Sequence, residues 1–227
     1  PGVPMTGVSG GGNASVVIAG APAGCTVGSM GIDTTVPAGA PSNARFPLGV
    51  LRFTATGCNN ATLTVSITYP TAIPAAAQLK KYGPQTSGAP DSWFTPSVSS
   101  ISSDRLTATY QVTDNGEGDG DATPGSIHDP FAPMVRVPLA PTALVATTGD
   151  STVALTWAAP ADDGGVPIIG YTVFKQTVPG GVISVACTTT GALGCTAAAL
   201  SNGQAYAFTA RATNAVGDGA LSTAVQA

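Results

Sequence analysis

Thr62-Leu63-Thr64-Val65-Ser66-Ile67-Thr68-Tyr69 decides the fold class, because polar and apolar residues alternate along it without a break. A period of two with one apolar face is typical of a half-buried β-strand. The segment 106–113 repeats this alternation, and 151–157 and 205–210 continue it towards the C-terminus. These segments predict an all-β protein.

Turn residues separate the predicted strands. The chain of 227 residues contains 29 glycines and 19 prolines, many of them in clusters between the alternating segments. No apolar stripe with a helical period is long enough to predict a helix. Short strands joined by Gly- and Pro-rich turns are typical of β-sandwiches. We therefore predict two tandem β-sandwich domains, the second of them immunoglobulin-like.

Charge is sparse over the whole chain. It has 8 basic and 12 acidic residues, which gives a net charge of −4 and a charged fraction of 9%. This balance excludes an electrostatic nucleic-acid footprint. No apolar run reaches the length of a membrane span, so we expect no membrane insertion. Few surface charges fit a protein whose surface is partly covered by its neighbours.

Four prolines between Asp129 and Pro141 suggest a boundary. Proline stiffens a connector and removes a donor from strand ladders, so we expect strand pairing to stop there. The predicted organisation is a Gly-rich segment at 1–24, a first sandwich at 25–133, a linker at 134–141 and a second sandwich at 142–227.

The C-terminal stretch resembles a fibronectin type III domain. The resemblance rests on Val153-Ala154-Leu155-Thr156-Trp157, with Trp157 at the position of the core tryptophan, and on Leu200-Ser201-Asn202-Gly203-Gln204-Ala205-Tyr206, which matches the tyrosine corner. It continues through Arg211-Ala212-Thr213-Asn214. The resemblance implies an immunoglobulin-like sandwich that, in bacteria, usually acts as a spacer or accessory module.

Residues 25–133 resemble the choice-of-anchor U domain of bacterial secreted and surface proteins. The matching stretches include Phe46-Pro47-Leu48-Gly49-Val50-Leu51, Leu79-Lys80-Lys81-Tyr82-Gly83-Pro84 and the acidic run from Val112 to Asp121. The resemblance implies a location at the bacterial envelope. The segment 123–128 departs from the family pattern, which leaves any shared ligand open.

The four cysteines are Cys25, Cys58, Cys187 and Cys195. None forms a C-x-x-C pair, which argues against a zinc site. Their division into two pairs along the chain predicts two local disulfides, Cys25–Cys58 and Cys187–Cys195, the second closing a hairpin; two buried thiols are the alternative for that pair. Disulfides indicate an oxidising compartment. The chain begins with Pro1 and carries no signal peptide, as expected of a processed or excised piece of a secreted protein.

An acidic, Gly-rich run is a candidate calcium site. Its carboxylates are Asp114, Glu117, Asp119, Asp121 and Asp129. Hard oxygen ligands on a mobile backbone suit calcium, although the spacing does not fit the twelve-residue calcium loop. A solvated acidic turn is the alternative. A packed version of this run needs a cation, because the carboxylates repel one another.

Two further clusters, one aromatic and one with Ser, His and Asp, are weaker candidates for a functional site. Tyr82, Trp93 and Phe94 flank a Pro/Gly-rich loop and form a candidate platform for sugar stacking, with burial in the core as the alternative. The sequence Ser126-Ile127-His128-Asp129 contains triad residue types, but sequence neighbours do not adopt triad geometry easily. We therefore expect no enzyme activity.

The uncharged N-terminal segment contains one strand candidate, with apolar residues at Val16, Val17 and Ile18. This strand either pairs within its own sheet or adds to the edge of a neighbouring copy as a subunit contact. Head-to-tail contacts that do not close produce filaments.

The sequence thus predicts a non-catalytic, secreted bacterial surface protein that assembles with copies of itself into a fibre, filament or sheath. A surface adhesin that binds glycan is one alternative, and the accessory region of a secreted hydrolase is another. Calcium is the only cofactor that the sequence suggests.

Overall fold

The computed structural model describes residues 3–5, 13–86 and 88–227, and these residues form strands and turns. The all-β prediction is confirmed. The chain divides into two compact units, Pro1–Val135 and Arg136–Ala227, called here the N-terminal and C-terminal units. The described part of the chain contains no helix with the length and apolarity needed to cross a membrane.

The N-terminal unit consists of a five-stranded sheet, ordered β1-β2-β6-β10-β9, and a six-stranded sheet, ordered β3-β5-β11-β7-β8 with β4 beside β11. Its strands are β1 Val3–Met5, β2 Ala14–Ala19, β3 Thr26–Asp33, β4 Ala44–Arg45, β5 Val50–Thr56, β6 Thr62–Thr68, β7 Gln78–Gly83, β8 Ser92–Phe94, β9 Ser99–Ile101, β10 Thr107–Thr113 and β11 Ile127–Arg136. The core lies between the two sheets, where Tyr110 stacks on Phe131 with ring centroids 4.0 Å apart.

The two most regular alternating segments of the sequence pair with each other, β6 against β10. The apolar members face the core, and the hydroxyl residues form cross-strand pairs on the other face. The pairs are Thr62–Thr113 at 2.9 Å, Ser66–Thr109 at 3.0 Å and Thr68–Thr107 at 2.9 Å. Such cross-strand pairs stabilise the ladder on its outer face, while burial stabilises it on the inner face.

The strand candidate of the N-terminal segment pairs within its own chain. β2 lies between β1 and β6. Val16 is buried in the core, Ile18 packs against the core, and Val17 is exposed. The interpretation of all three as a subunit contact is therefore corrected, because both edges of β2 and two of the three side chains are already used inside the unit. Residues 1, 2 and 6–12 of the segment 1–24 lie outside the described residues.

Strand β11 runs through the proline-rich stretch that was expected to stop strand pairing. It pairs with β5 over Ile127–Phe131 and with β7 over Phe131–Met134, and so includes Pro130 and Pro133. The expectation is wrong for the stretch up to Arg136, where β11 ends. Each proline lacks only its own backbone N–H donor, and the residues between the prolines still form the hydrogen bonds of the ladder. Part of the predicted linker 134–141 is therefore buried strand.

The C-terminal unit consists of a three-stranded sheet, ordered β12-β13-β16, and a five-stranded sheet, ordered β15-β14-β17-β18 with β19 beside β17. Its strands are β12 Thr142–Gly149, β13 Thr152–Ala158, β14 Ile168–Thr177, β15 Ser184–Thr189, β16 Gly194–Ala197, β17 Tyr206–Asn214, β18 Gly217–Leu221 and β19 Val225–Gln226. Its own core contains Leu155, Trp157, Tyr171, Val173 and Phe208.

Both predicted disulfides are present, Cys25–Cys58 and Cys187–Cys195. The second was expected to close a hairpin. Cys187 lies in β15 and Cys195 in β16, which belong to different sheets. This bond therefore joins the edges of the two sheets of the C-terminal unit.

Candidate functional site

Four of the five carboxylates of the acidic run, all except Asp129, accept hydrogen bonds from other groups of the protein. Short polar side chains that cap nearby backbone N–H groups are typical of tight Gly-rich loops. The bonds are from Asn60 N and Gly125 N to Asp114, at 2.9 and 2.8 Å, from Ser97 N to Glu117, at 2.6 Å, and from Thr123 N and Ser126 Oγ to Asp121, at 2.9 and 2.6 Å. Asp114 thus ties the loop to the β5–β6 turn, Glu117 ties it to the segment after β8, and Asp121 accepts from within the loop.

Asp119 is the most heavily bonded of these residues. Its two oxygens accept from Asn115 N at 2.9 Å, from Asp121 N at 3.1 Å and from His128 N at 3.0 Å. Burial raises the pKa of Asp119 above its ordinary value, and these three donors oppose that rise. The buried carboxylate therefore holds the loop to the start of β11 through its hydrogen bonds.

The five carboxylates do not meet at one point. Among residues 13–86 and 88–227, no group of three His, Cys, Asp or Glu side chains is close enough to hold a metal ion. Asp129 faces the interior of the sandwich, away from the loop surface. The calcium site at Asp114, Glu117, Asp119, Asp121 and Asp129 stays a prediction from the sequence.

A cation does pack against this loop, and it belongs to the chain. The Lys81 ammonium donates to the Glu117 carbonyl at 3.2 Å and lies 2.9 Å from Oδ1 of Asp129. Gly118, with φ +78°, rests directly on the Lys81 side chain, where an added Cβ would overlap Cε. Glycine at 118 therefore permits both the backbone turn and the close approach.

Lys81 was missed by the analysis of the sequence, although a signal for it exists. In a strand, every second residue faces the same side. Leu79 and Lys81 therefore share a face, and Leu79 predicts that this face is the core. The same rule places Tyr82 on the opposite side.

Asp119→Ala is expected to lower the free energy of unfolding of the N-terminal unit by about 2–4 kcal/mol, because three N–H groups lose their acceptor at once. Asp119→Asn keeps one acceptor oxygen and should lose less. Urea denaturation followed by Trp93 fluorescence in a Trp157→Phe background measures this unit alone, since the chain has 2 tryptophans. Asp121→Ala is the matched control with a smaller loss, and equal losses would contradict the role assigned to Asp119.

The candidate sugar platform is only partly assembled. Trp93 and Tyr82 lie opposite each other on β8 and β7, with ring centroids 5.5 Å apart, and Phe46 is 5.0 Å from Trp93. These three aromatics are half-buried. Phe94 is corrected, because it follows Trp93 in the strand, faces the other side and is buried.

The triad residue types near His128 point in different directions. Ser126 Oγ donates to Asp121 at 2.6 Å, and Asp129 is buried in the interior. His128 lies between two inward-facing residues of β11 and is exposed. Hydroxyl, imidazole and the Asp129 carboxylate therefore form no nucleophile–base chain here.

The outer edge of the C-terminal unit carries an apolar segment that the sequence analysis did not single out. β15 is the last strand of its sheet, paired on one side by β14. Val182, Ile183 and Val185 are 89%, 60% and 54% exposed. The sequence signal is a stretch without any Asp, Glu, Lys or Arg from Gln176 to Ala210.

The C-terminal core is built around two aromatic anchors. Trp157 of β13 is buried and contacts Tyr171 of β14, with ring centroids 5.5 Å apart. Tyr206 starts β17, and its hydroxyl accepts the Ser201 N–H at 3.1 Å, which is the tyrosine-corner bond. This bond lowers the pKa of Tyr206. The family model for the fibronectin type III domain matches residues 139–227. Residues 139–227 are a fibronectin type III domain.

Several solved structures are similar to part of this chain. They include the twitchin kinase region from C. elegans (28% identity, TM-score 0.38) and the titin kinase with its flanking domains (27%, 0.37), each match covering 39% of this chain and 16% of that chain. An Fn3-like protein from Clostridium thermocellum is 23% identical, with a TM-score of 0.34, and the match covers 40% of this chain and 91% of that one. The chain thus spans about a sixth of the twitchin and titin chains.

The fibronectin type III fold is in general a non-catalytic module. Together with two disulfides, this domain indicates an extracellular or secreted protein.

Proposed function

We propose that this protein is a non-catalytic structural protein of the bacterial cell surface, whose copies associate through an open edge of the fibronectin type III domain into a fibre or sheath. The resemblance of residues 25–133 to the choice-of-anchor U domain supports the bacterial location. The apolar edge at β15 supports the association, and it is the observation that carries the proposal.

An open strand edge presents unpaired N–H and C=O groups to solvent. Soluble proteins usually protect such edges with charged side chains, proline or a covering loop. At β15 the edge exposes Val185, ahead of Cys187, where the disulfide holds β15 to β16, and the turn that leads into the strand exposes Val182 and Ile183. The nearest charged residues in the sequence are Lys175 and Arg211, so none lies in the strand or its flanking turns.

A strand from a second copy would pair with the free backbone groups of this edge and cover its exposed apolar side chains. Main-chain hydrogen bonds supply affinity in strand addition, and the alternate side chains supply specificity. A β15–β15 contact would close as a dimer, whereas a contact between β15 and a different edge continues into a fibre. The sparse surface charge, 9% of residues, leaves little repulsion between copies. We propose the second, open arrangement.

Val185→Lys is expected to raise the concentration needed for assembly by roughly tenfold or more. The domain should stay folded, because Val185 is already exposed in the single chain. Burial of a valine side chain contributes about 1.5–3 kcal/mol, so its loss weakens each contact by roughly tenfold or more. The measurement is sedimentation velocity over a concentration series. Val98→Lys, at an equally exposed valine of the N-terminal unit (52% against 54%), is the matched control and should assemble normally.

The half-buried aromatics Phe46, Tyr82 and Trp93 support an adhesin as the second candidate function, because aromatic faces can stack on sugar rings. In that case the wild-type chain sediments as a monomer at all concentrations. A glycan then binds it saturably, and Trp93→Ala lowers the affinity for that glycan.

The proposed edge would also be contradicted if Val98→Lys and Val185→Lys reduced assembly by the same amount.

A further inference from the structure

One buried ion pair, which the proposed edge does not use, joins two strands of the N-terminal unit. Lys81 of β7 and Asp129 of β11 lie on adjacent strands of the six-stranded sheet. Phe131 is opposite Lys81 in the ladder, so Asp129, two residues earlier, projects from the same inward face. Nζ of Lys81 is 2.9 Å from Oδ1 of Asp129, and both side chains are 0% exposed.

The surroundings of this pair are aromatic and dry. Nζ of Lys81 lies 5.3 Å from the ring centroid of Tyr110, which stacks on Phe131. Nζ donates to the carbonyls of Gln111 and Glu117, at 3.3 and 3.2 Å. Neither oxygen of Asp129 has a partner in hydrogen-bond geometry among the described residues. A carboxylate in such a place is costly to bury, even beside an ammonium group.

We propose that Lys81 and Asp129 condense to form an intramolecular amide bond. A proton passes from the ammonium to the carboxylate, and the amine nitrogen then attacks Cγ of Asp129. The bond from Cγ to one oxygen breaks, and that oxygen leaves as water with its own proton and one from nitrogen. An ammonium and a carboxylate thus become one neutral amide and one water, and no oxidant or other reactant is needed.

The fold supplies what this condensation requires. It holds the nucleophile and the carboxyl group in contact, which replaces an encounter in solution. Tyr110 places a hydroxyl beside Asp129, and burial and the Asp129 charge hold the pKa of Tyr110 well above its usual range. This hydroxyl therefore stays protonated and can donate to the oxygen that gains charge when nitrogen attacks.

The other ion pairs found in the described residues contain no amine and are not fully buried. They are Arg52–Asp33, Arg136–Asp162 and Arg211–Asp218, all partly exposed. A guanidinium stays protonated and is no nucleophile. Lys81–Asp129 alone among these pairs combines an amine with full burial.

The amide would tie β7 to β11 through the interior of the N-terminal unit, and the inference is independent of whether copies assemble. Intact mass spectrometry of the full chain after reduction of its disulfides tests it. The wild-type mass should be lower than the sequence mass by one water. Lys81→Met and Asp129→Ala should have their full sequence masses. Lys80→Met, changed at the adjacent lysine of the same strand, should keep the deficit.

Asp129→Asn gives a sharper outcome, because condensation of an asparagine releases ammonia. This variant should lose one ammonia and reach the same mass as the wild type. Tryptic digestion should not cleave after Lys81 and should yield a joined peptide that contains residues 81 and 129. Tyr110→Phe should form the bond more slowly. A wild-type mass equal to the sequence mass, or a water deficit that persists in Lys81→Met, would overturn the proposal and leave an ion pair only.

Discussion

Replacing Cys25 and Cys58 together by alanine is expected to lower the free energy of unfolding of the N-terminal unit by about 3–4 kcal/mol. The disulfide closes a loop of 33 positions, and its loss returns that loop's conformational entropy to the unfolded chain. Cys58 is also fully buried, so alanine is the replacement that leaves no unpaired polar group. Denaturation followed by Trp93 fluorescence, with Trp157 replaced by Phe, measures the loss.

The second disulfide provides the comparison. Cys187–Cys195 spans only 8 positions, so its removal should cost the fibronectin type III domain about 2–3 kcal/mol. The stability of the N-terminal unit should not change in that variant, because each unit has its own core. A larger loss from the short loop than from the long one would contradict the entropic account.

Trp157→Ala is expected to destabilise the fibronectin type III domain by about 3–5 kcal/mol. The indole is buried between the two sheets, and alanine leaves a cavity where it contacted Tyr171. Trp157→Phe should lose less. The indole N–H has no hydrogen-bond partner among the described residues, so phenylalanine removes no bond there.

Scanning calorimetry measures this effect, since the variant lacks the fluorophore of its own domain. The transition of the N-terminal unit is the internal control and should stay in place. Val145→Ala, at an exposed position of β12, is the matched surface change and should shift neither transition by more than about 0.5 kcal/mol. A loss in Trp157→Ala as small as that of Val145→Ala would show that the core lies elsewhere.

Much of the fold was predictable because the two-residue alternation of a half-buried strand can be seen within a few consecutive residues. The alternation in 62–69 and 106–113 gave both strands of the β6–β10 pair and the side of each that is buried. The fibronectin type III domain was recognisable because Trp157 and Tyr206 stand at the core-tryptophan and tyrosine-corner positions of that family's sequence pattern.

The rest depends on contacts between distant residues. Strand β11 runs through Pro130 because its partners β5 and β7 come from elsewhere in the chain. A packed version of the acidic run was expected to need a cation, and at Asp129 the cation is Lys81 from another strand. Sequence spacing alone could not show that Asp129 turns inward to meet it.

The proposed function depends on whether copies of this chain assemble through the β15 edge. Electron microscopy of the native full-length chain, beside Val185→Lys and Val98→Lys at equal concentration, tests it most directly. We expect regular filaments for the wild type and for Val98→Lys, and separate particles for Val185→Lys. Separate particles in the wild type, or filaments that persist in Val185→Lys, would contradict it.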